Sequence, residues 1–459
     1  MKRKIDTHIF LLVLPLLLLM GCNRYQYIDI KSNQLNIVKQ TKTINMIGHW
    51  KGEGDREKFV TNTVLDYGFK NQEIKINLKF PEEVYFDNLN REKSEVNFLL
   101  NMITQDSIDW DIIKLNDLYQ PISEALNDPN WPKKYLVDFS EYPEFREGSL
   151  PETLSDETKA EWNGIIPGPY IEGQYWALWY NKKVAEKLGI EIKQFGMTFN
   201  DFAGYLKACN DYNLQHSEDK IIPLYESYVW ETTNIIPLML FASLLDNKEE
   251  FVSKKITQKR LDAWGKTLEA MEQIAPYHPV DPSWKTTEWS STQKMMLDGE
   301  CLFYINGSWM YNIWKGIDEQ KVLDCVPAEF PCFQPHKYYP AGYQLTWAVP
   351  KNARNKDEAV KLLLSMTKPA TAEIWGRYTK CPTGIKGNLS NAALGTDQFE
   401  VYSNYIQQNF GKNHFKYSYN STWVLNDKNA ELNLRYREVM DGEMTAPEAM
   451  KMIKREVKQ

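Results

Sequence analysis

Early in the chain, segments with the pattern of β-strands alternate with segments with the pattern of α-helices. Strand-like segments lie at 44–47, 73–80 and 109–117, and amphipathic helix-like segments lie between them at 55–69 and 94–103. This alternation predicts a parallel β-sheet whose strands are connected by right-handed helical crossovers. The chain is therefore expected to be an α/β protein.

The same alternation resumes further along the chain. Strand-like runs at 176–181 and 221–225 alternate with segments of helical period, and Thr198 is placed to cap one of these helices. Near the C-terminus, Pro369 is expected to interrupt a long helical segment. The chain has 459 residues, whereas a single hydrophobic core stops growing at roughly 250–300 residues. The sequence therefore predicts two α/β domains.

The N-terminus has the pattern of an export signal. Basic residues at positions 2–4 precede an apolar run at 9–20 that is too short to span a membrane comfortably. The run ends in the letters LMGC, which resemble the lipobox of bacterial lipoproteins. That resemblance implies that residues 1–21 are removed, that Cys22 is lipidated and that residues 22–41 form a flexible tether. An ordinary signal peptide cut nearby, or an uncleaved anchor, would give a similar pattern.

Charge and cysteine content argue against several classes of function. The net charge of −7 argues against binding nucleic acid and against electrostatic attraction to a membrane surface. Apart from Cys22 there are five cysteines, an odd and sparse set that is not a disulfide scaffold. Cys325 and Cys332 could pair, but buried free thiols fit at least as well. Cys332 and His336 would supply at most half of a metal site, so neither a metal nor a cofactor is expected.

Aromatic residues are the outstanding feature of the composition, at 13% with 15 Trp and 26 Tyr. Such rings either fill a core or line a ligand cleft. In GECLFYINGSWMYNIWKG an apolar strand is expected to end in a turn at Asn-Gly-Ser, with Ser308 capping the helix that follows. Trp309 would then lie at a strand-to-helix corner, where ligands bind in open α/β sheets. Phe303, with Tyr311 or Trp314, is predicted to be core by its strand or helix phase.

Four segments follow one another in a particular order along the chain. They are EGQYWALWYNKKVAEKLGI with TFNDFAGYL downstream, MMLDGECLFYINGSWMYN, AGYQLTWAVPKNARNKDEAVKLLLSMT and REVMDGEMTAPEAMKMIKREV. In this order they resemble the family 1 extracellular solute-binding proteins of bacterial ABC importers, the group that includes maltose-binding and other sugar-binding lipoproteins. None of the four is diagnostic alone, but the ordered set is fairly specific.

The resemblance implies a two-lobe periplasmic-binding-protein fold of the type II-like class. Each lobe would be a central sheet flanked by helices, with the ligand cleft at the hinge and the aromatic strand 175–180 crossing that hinge. The protein would be a monomer held outside the cytoplasm through Cys22, binding a carbohydrate for ABC permease subunits and catalysing no reaction. The first lobe would comprise about residues 42–173 plus 340–397, and the second about 174–339 plus 398–459.

A sugar presents flat C–H faces and a rim of hydroxyl groups, so its site needs aromatic rings beside Asp, Asn, Glu or Arg. Residues of these types near predicted strand ends are the candidates, and for most of them a packing, capping or turn role competes with binding. Trp309 gains most from the resemblance, because the family's aromatic residue at this position often stacks on the sugar. The candidate ligand-binding residues are Trp50, Asp117, Tyr228, Trp230, Glu231, Trp309, Tyr343, Trp375 and Arg377.

Three other interpretations stay open. A secreted glycosidase or lyase also needs carboxylates near rings, for example Glu226 and Glu231, but no catalytic signature identifies a pair. A binding protein of the same fold for a polyamine, peptide or metal complex would use aromatic rings and carboxylates to hold a cation. A surface adhesin without transport partners is the third.

Overall fold

The computed structural model describes residues 42–85, 91–116, 118–226, 232–252, 255–281, 289–387, 397–409, 414–415 and 431–456. The predicted signal peptide (1–21), the tether (22–41) and Cys22 lie outside these residues. The strands are β1 (Lys42–Ile47), β2 (Ile74–Lys79), β3 (Ile113–Lys114), β4 (Glu172–Asn181), β5 (Ile222–Tyr225), β6 (Cys301–Gly307), β7 (Cys325–Ala328), β8 (Tyr339–Gln344), β9 (Trp347–Ala348) and β10 (His414–Phe415).

The helices lie between and after these strands. They are α1 (Asp55–Lys70), α2 (Pro81–Val84), α3 (Arg91–Ile103), α4 (Tyr119–Leu126), α5 (Trp131–Tyr135), α6 (Pro143–Gly148), α7 (Asp156–Glu161), α8 (Lys182–Lys187), α9 (Phe199–Gln215), α10 (Ile235–Ser243), α11 (Lys248–Val252), α12 (Gln258–Ile274), α13 (Trp289–Asp298), α14 (Met310–Ile317), α15 (Lys356–Ser365), α16 (Pro369–Thr379), α17 (Gln398–Asn409), α18 (Glu431–Met440) and α19 (Ala446–Glu456).

The first sheet is built from the predicted β-α-β-α-β segment. β1 pairs with β2 in parallel along its whole length, and a parallel bridge between Met46 and Ile112 connects β1 to the start of β3. β3 has only two residues, and β9 pairs with it in the antiparallel direction. The predicted order and the parallel pairing of the first strands are confirmed, while β9 is supplied by a distant part of the chain.

The second sheet is organised around β4. Its strand order is β10-β8-β4-β6-β5, with β7 also paired to β4. The first half of β4, from Glu172 to Tyr175, pairs with β8, and the second half pairs with β6 and β7. Since β8 is followed almost directly by β9, the chain passes from the second sheet to the first between Gln344 and Trp347. Together with the family fold reported below, this is the architecture of two α/β lobes joined by hinge strands.

The aromatic residues of β4 alternate between the two faces of the strand, as the sequence predicted, and each face packs into a hydrophobic core. Tyr175 and Trp179 pack into the core that also contains the residues of the first sheet. Trp176 and Tyr180 pack into a second core on the opposite face of the strand, together with Phe303. A strand with a period of two can contribute rings to both of its faces.

The predicted turn at Asn-Gly-Ser is wrong. β6 continues through Gly307, and the backbone N–H of Ser308 still donates to the carbonyl oxygen of Tyr175 on β4 at 2.8 Å. The Ser308 hydroxyl lies 3.4 Å from the N–H of Tyr175 instead of capping a helix. Trp309 is the N-cap residue of α14 and supplies no side-chain cap bond. The neighbouring strand thus takes the hydrogen bonds that the local sequence would assign to a turn.

Several other expectations are confirmed. Thr198 caps α9 with a side-chain bond from the N–H of Asp201, and Pro369 begins α16 rather than continuing α15. Phe303, Tyr311 and Trp314 are buried. The five cysteines beyond Cys22 are free, buried thiols: Cys209, Cys301, Cys325, Cys332 and Cys381.

Candidate binding cleft

A cleft of about 480 Å³ opens where β1 and β2 end. One wall is the loop 49–54 that follows β1, with Pro81 and Glu82 after β2. The other wall is formed by Ile313, Gly316 and Ile317 on α14, beside Gln293 on α13. Clefts of about 300–1,000 Å³ are typical of sites that enclose a small molecule, and strand carboxyl ends are the usual location in α/β proteins. The position and size are therefore those of a ligand site.

The loop 49–54 is held in place by its own hydrogen bonds. The carboxylate of Glu57 accepts from Lys51 Nζ at 2.5 Å and from the backbone N–H of Gly52 at 2.8 Å. The bond to Glu57 raises the pKa of the Lys51 ammonium. Gly54 has a φ of +56°, and a Cβ built on it would lie 3.0 Å from the backbone oxygen of Asn312, so both conformation and space favour glycine.

An ion pair joins the two walls of the cleft. Asp55, directly after the loop, lies 2.7 Å from Lys315 Nζ on α14, and it also binds Lys58 at 2.7 Å. Partial burial would raise the pKa of the Asp55 carboxyl, but the bonds from Lys315 and Lys58 outweigh this and lower it. The pair therefore ties the start of α1 to the helix on the opposite wall.

Trp50 borders the cleft, but its ring belongs to the core. Its side chain is 2% exposed and packs against Trp347 and Trp375, with ring centroids 5.2 and 5.0 Å away. Its backbone has a φ of +68°, a left-handed conformation that is uncommon for a residue other than glycine. The structure thus favours packing of the first lobe over ligand stacking, the two roles that the sequence left open for this ring.

A buried ion pair lies directly behind Trp50. Glu172, the first residue of β4, accepts from Trp50 Nε1 at 3.2 Å and pairs with Arg56 Nη2 at 2.6 Å. Glu172 and Arg56 are 3% and 2% exposed. Burial alone would lower the pKa of Arg56, but the charges of Glu172 and Glu53 outweigh it and raise the pKa. These contacts connect the cleft loop and the start of α1 to β4, the strand around which the second sheet is organised.

The two candidates on α16 lie away from the cleft surface. Trp375 has no exposed surface, and its Nε1 donates to the carbonyl oxygen of Pro382 at 2.8 Å. This burial does not favour a ligand contact by Trp375. Arg377, two residues on, is exposed and does not line the cleft. The structure therefore does not bring Trp375 and Arg377 together as a ring and a donor for one ligand.

Trp309 does not itself line the cleft, but it lies one helical turn before Ile313, which does. Its ring is partly buried, contacts both hydrophobic cores, and meets the ring of Trp176 edge to face at 5.2 Å. The ring also covers Gly307, where a Cβ would lie 2.0 Å from the nearest ring atom. Gly307 is thus required for this placement of the Trp309 ring.

Substitution of Gly307 by alanine is expected to displace the Trp309 ring by more than an ångström, because the methyl group would occupy its position. If Trp309 stacks on a saccharide, as the sequence predicts, a contact worth about 0.5–1.5 kcal/mol would be lost, which is up to about tenfold in affinity. Titration calorimetry with a bound saccharide measures the change. Gly68→Ala is the control, since a Cβ on that helical glycine meets no atom within 4 Å; equal affinities in both variants would contradict the expectation.

Tyr343 lies on β8 opposite Gly173 of β4, in the strand pair that crosses between the sheets. It is 8% exposed and does not line the cleft described above. Its predicted ligand contact stays a prediction.

The remaining candidates, Asp117, Tyr228, Trp230 and Glu231, lie outside the described residues and stay predictions. Their neighbours in the sequence are described. The amide of Asn116 is 3.0 Å from His49 Nε2, so the end of the third strand reaches the cleft loop.

Glu226, which the enzyme interpretation would require, is the other described neighbour. It is 1% exposed and lies 2.6 Å from Arg437 Nη1, and it accepts from the N–H and hydroxyl of Thr233. Burial raises the pKa of Glu226, while the charge of Arg437 opposes that shift. The carboxylate is thus used to hold α18 against the segment after β5.

Sequence reasoning missed most of the cleft lining. His49, Glu82, Gln293, Ile313, Gly316 and Ile317 were not among the candidates. The three residues on α14 could have been found, because they follow Trp309 at spacings of four, seven and eight residues and so share its helix face. No pattern in the neighbouring sequence marks Glu82 or Gln293 as cleft residues.

The described residues hold no group of three or more His, Cys, Asp or Glu side chains that could bind a metal ion. Cys332 and His336, which would supply at most half of a metal site, make other contacts. His336 Nε2 is 2.7 Å from the carbonyl oxygen of Phe330, and Cys332 Sγ is 3.3 Å from the carbonyl oxygen of Met197. In the part of the chain that the structure covers, no helix is long and apolar enough to cross a membrane.

Comparison with known proteins matches this geometry to one family. The family model described as bacterial extracellular solute-binding protein matches residues 94–397. No curated protein sequence matches the chain.

Solved structures show the same fold at low sequence identity. Maltose-bound MalE3 of T. maritima is 14% identical with a TM-score of 0.58, over 91% of this chain and 99% of that one. RafE in complex with raffinose is 13% identical with a TM-score of 0.58, over 89% and 98%. A Bacillus licheniformis sugar transporter protein in complex with stachyose is 15% identical with a TM-score of 0.52, over 90% and 98%.

Proposed function

The chain belongs to the bacterial extracellular solute-binding proteins, a family of binding proteins rather than enzymes, and from this membership we propose that it captures a carbohydrate in the cleft between loop 49–54 and α14. The captured saccharide would be delivered to the permease subunits of an ABC importer. The family acts outside the cytoplasm, and the proposed anchor is a lipid on Cys22, with the protein acting as a monomer.

The observation that supports a carbohydrate most directly is the chemistry of the two walls. Ile313 and Ile317 offer an apolar surface, and Ile317 is 45% exposed. The carboxylate of Glu82, on the wall after β2, and the amide of Gln293, beside α14, line the same cleft. An apolar face bordered by acceptors and donors suits a ring that has C–H groups on its faces and hydroxyls on its edge.

Two further observations support the same class of ligand. The partly exposed ring of Trp309 begins the helix face that continues into the cleft. Three proteins of the same fold were solved with maltose, raffinose and stachyose. We propose that Trp309 stacks on one sugar ring, and that Asp117, Tyr228, Trp230 and Glu231 contribute from the neighbouring loops.

The proposal is tested by titration calorimetry of the purified protein against three saccharide series of increasing length. These are glucose, maltose and maltotriose; sucrose, raffinose and stachyose; and xylose, xylobiose and xylotriose. We expect saturable binding of at least one series, a change in tryptophan fluorescence, and recovery of the intact saccharide by chromatography. A ligand at about a hundredfold excess over its Kd should also raise the free energy of unfolding by about 2.7 kcal/mol.

Different failures point to different alternatives. Shorter products after prolonged incubation would indicate the glycan-active enzyme. Absence of binding to every saccharide, combined with saturable binding of spermidine, would indicate the same fold serving a cationic solute. Either result would contradict the carbohydrate proposal.

A further inference from the structure

The helix α14 has two distinct faces. Met310, Tyr311 and Trp314 are buried in the core. Ile313, Gly316 and Ile317 line the cleft, and Trp309 precedes them by one turn on the same side. We call Trp309, Ile313, Gly316 and Ile317 the α14 stripe.

The α14 stripe is longer than one sugar ring. Its ends are eight residues apart, which is about 12 Å along a helix that rises about 1.5 Å per residue. A six-membered ring stacked on Trp309 would leave the surface at Ile313, Gly316 and Ile317 uncovered. The cleft of about 480 Å³ lies beside that uncovered part.

Gly316 has no structural reason to be glycine. Its φ is not in the left-handed region, and a Cβ built on it would meet no atom within 4 Å. Glycine within a helix is unfavourable relative to alanine, so neither backbone geometry nor packing explains it. Its missing side chain instead leaves space open in the cleft between Ile313 and Ile317.

The cleft also offers polar groups, one on each wall: Glu82 after β2 and Gln293 beside α14. Glu82 and Gln293 line the cleft together with Gly316 and Ile317. A ring lying on the aliphatic side chains would turn its hydroxyl edge toward this carboxylate and amide. The polar and apolar groups are thus arranged for a second ring rather than for bulk water.

We propose that Gly316 sets the length of the bound saccharide: it admits a second sugar unit, which lies on Ile313 and Ile317 beyond the unit at Trp309. The inference rests on the proposed function and adds that the ligand has at least two rings. A monosaccharide would occupy only the Trp309 end and would bind more weakly.

The test compares wild-type protein, Gly316→Leu and Gly204→Leu by titration calorimetry across the same three saccharide series, with glucose placed before sucrose so that the first member of every series is a monosaccharide. In wild type the disaccharide or longer member should bind at least tenfold more tightly than the first member. Gly316→Leu should remove this gain and change the affinity for the first member less than twofold. Gly204→Leu is the matched control, because Gly204 is also helical, has no atom within 4 Å of a built Cβ, and does not line the cleft.

A second pair of variants keeps the test decisive if the leucine disturbs α14. Ile317→Ala should reduce the gain in affinity from the second ring about threefold or more. Leu323→Ala is the control and should leave this gain unchanged, because Leu323 is similarly exposed (54% against 45% for Ile317) but does not line the cleft. An unchanged gain in both Gly316→Leu and Ile317→Ala, or equal weakening of the first member and of longer members, would overturn the inference. Wild-type protein that binds no saccharide would overturn the proposed function itself, so the two failures are distinguishable.

Discussion

Replacement of Trp309 by alanine is expected to weaken saccharide binding by more than tenfold while the protein stays folded. The ring is partly exposed, fixed over Gly307 and against Trp176, and placed at the start of the α14 stripe. Truncation of an aromatic anchor in a binding site costs about 2 kcal/mol or more, and tenfold in affinity is about 1.4 kcal/mol. Trp309 supplies no side-chain cap bond, so α14 loses no cap. Titration calorimetry measures the affinity, and circular dichroism checks the fold.

Trp110→Ala is the matched control for this experiment. Trp110 is also partly buried and meets Phe98 edge to face at 6.3 Å. It precedes β3, whose start is bridged in parallel to β1, so it lies at the end of the sheet away from the cleft loop. Its removal should leave the affinity unchanged. If Trp309→Ala also binds with wild-type affinity, Trp309 is not part of the site.

Among the proposed variants, replacement of Glu172 by alanine is expected to lower the free energy of unfolding the most. The change leaves the buried guanidinium of Arg56 without its 2.6 Å partner and removes the acceptor of Trp50 Nε1. Breaking a buried ion pair in this way costs about 3–5 kcal/mol. Chemical denaturation with urea should show a lower midpoint. Because Glu172 also accepts from the ring of Trp50, whose loop borders the cleft, the variant should also bind saccharide more weakly.

Two further variants identify the cause of that loss. Glu172→Gln keeps an acceptor for Trp50 and should recover part of the stability. Asp66→Ala breaks an exposed pair with Lys70, whose side chains are 61% and 68% exposed, and should cost less than about 1 kcal/mol. A similar loss in Asp66→Ala and Glu172→Ala would show that burial of the Arg56 pair is not the cause.

Much of the fold was predictable because it is encoded locally. The periods of two and 3.6 residues gave the first strands and helices, and capping by Thr198 and interruption at Pro369 depend on neighbouring residues. The turn at Asn-Gly-Ser was wrong because β4 lies beside this segment and extends the hydrogen-bond ladder to Ser308. Local turn chemistry could not include a partner that is more than 130 residues away.

The candidate site was predictable only in part. The ligand contact of Trp309 stays a prediction: a strand followed by a helix defines its corner, and its helix face continues to Ile313 and Ile317, which line the cleft. Trp50 and Trp375 also had the residue type of a sugar-stacking ring, but they are buried against each other with centroids 5.0 Å apart. Residue type says that a ring needs an apolar partner and does not say whether that partner is a ligand or another ring.

The sequence by itself determined the family fold, the alternation of the β4 rings between two faces and the position of Trp309 between a strand and a helix, since each depends on periodicity or on an ordered set of local motifs. Only the tertiary structure decided that Glu172 holds Arg56 and Trp50 behind the cleft loop, and that Gly316 lines one cleft with Glu82 and Gln293. The physical reason is that periodicity fixes which side of an element a residue occupies, whereas the neighbour on that side comes from a distant part of the chain.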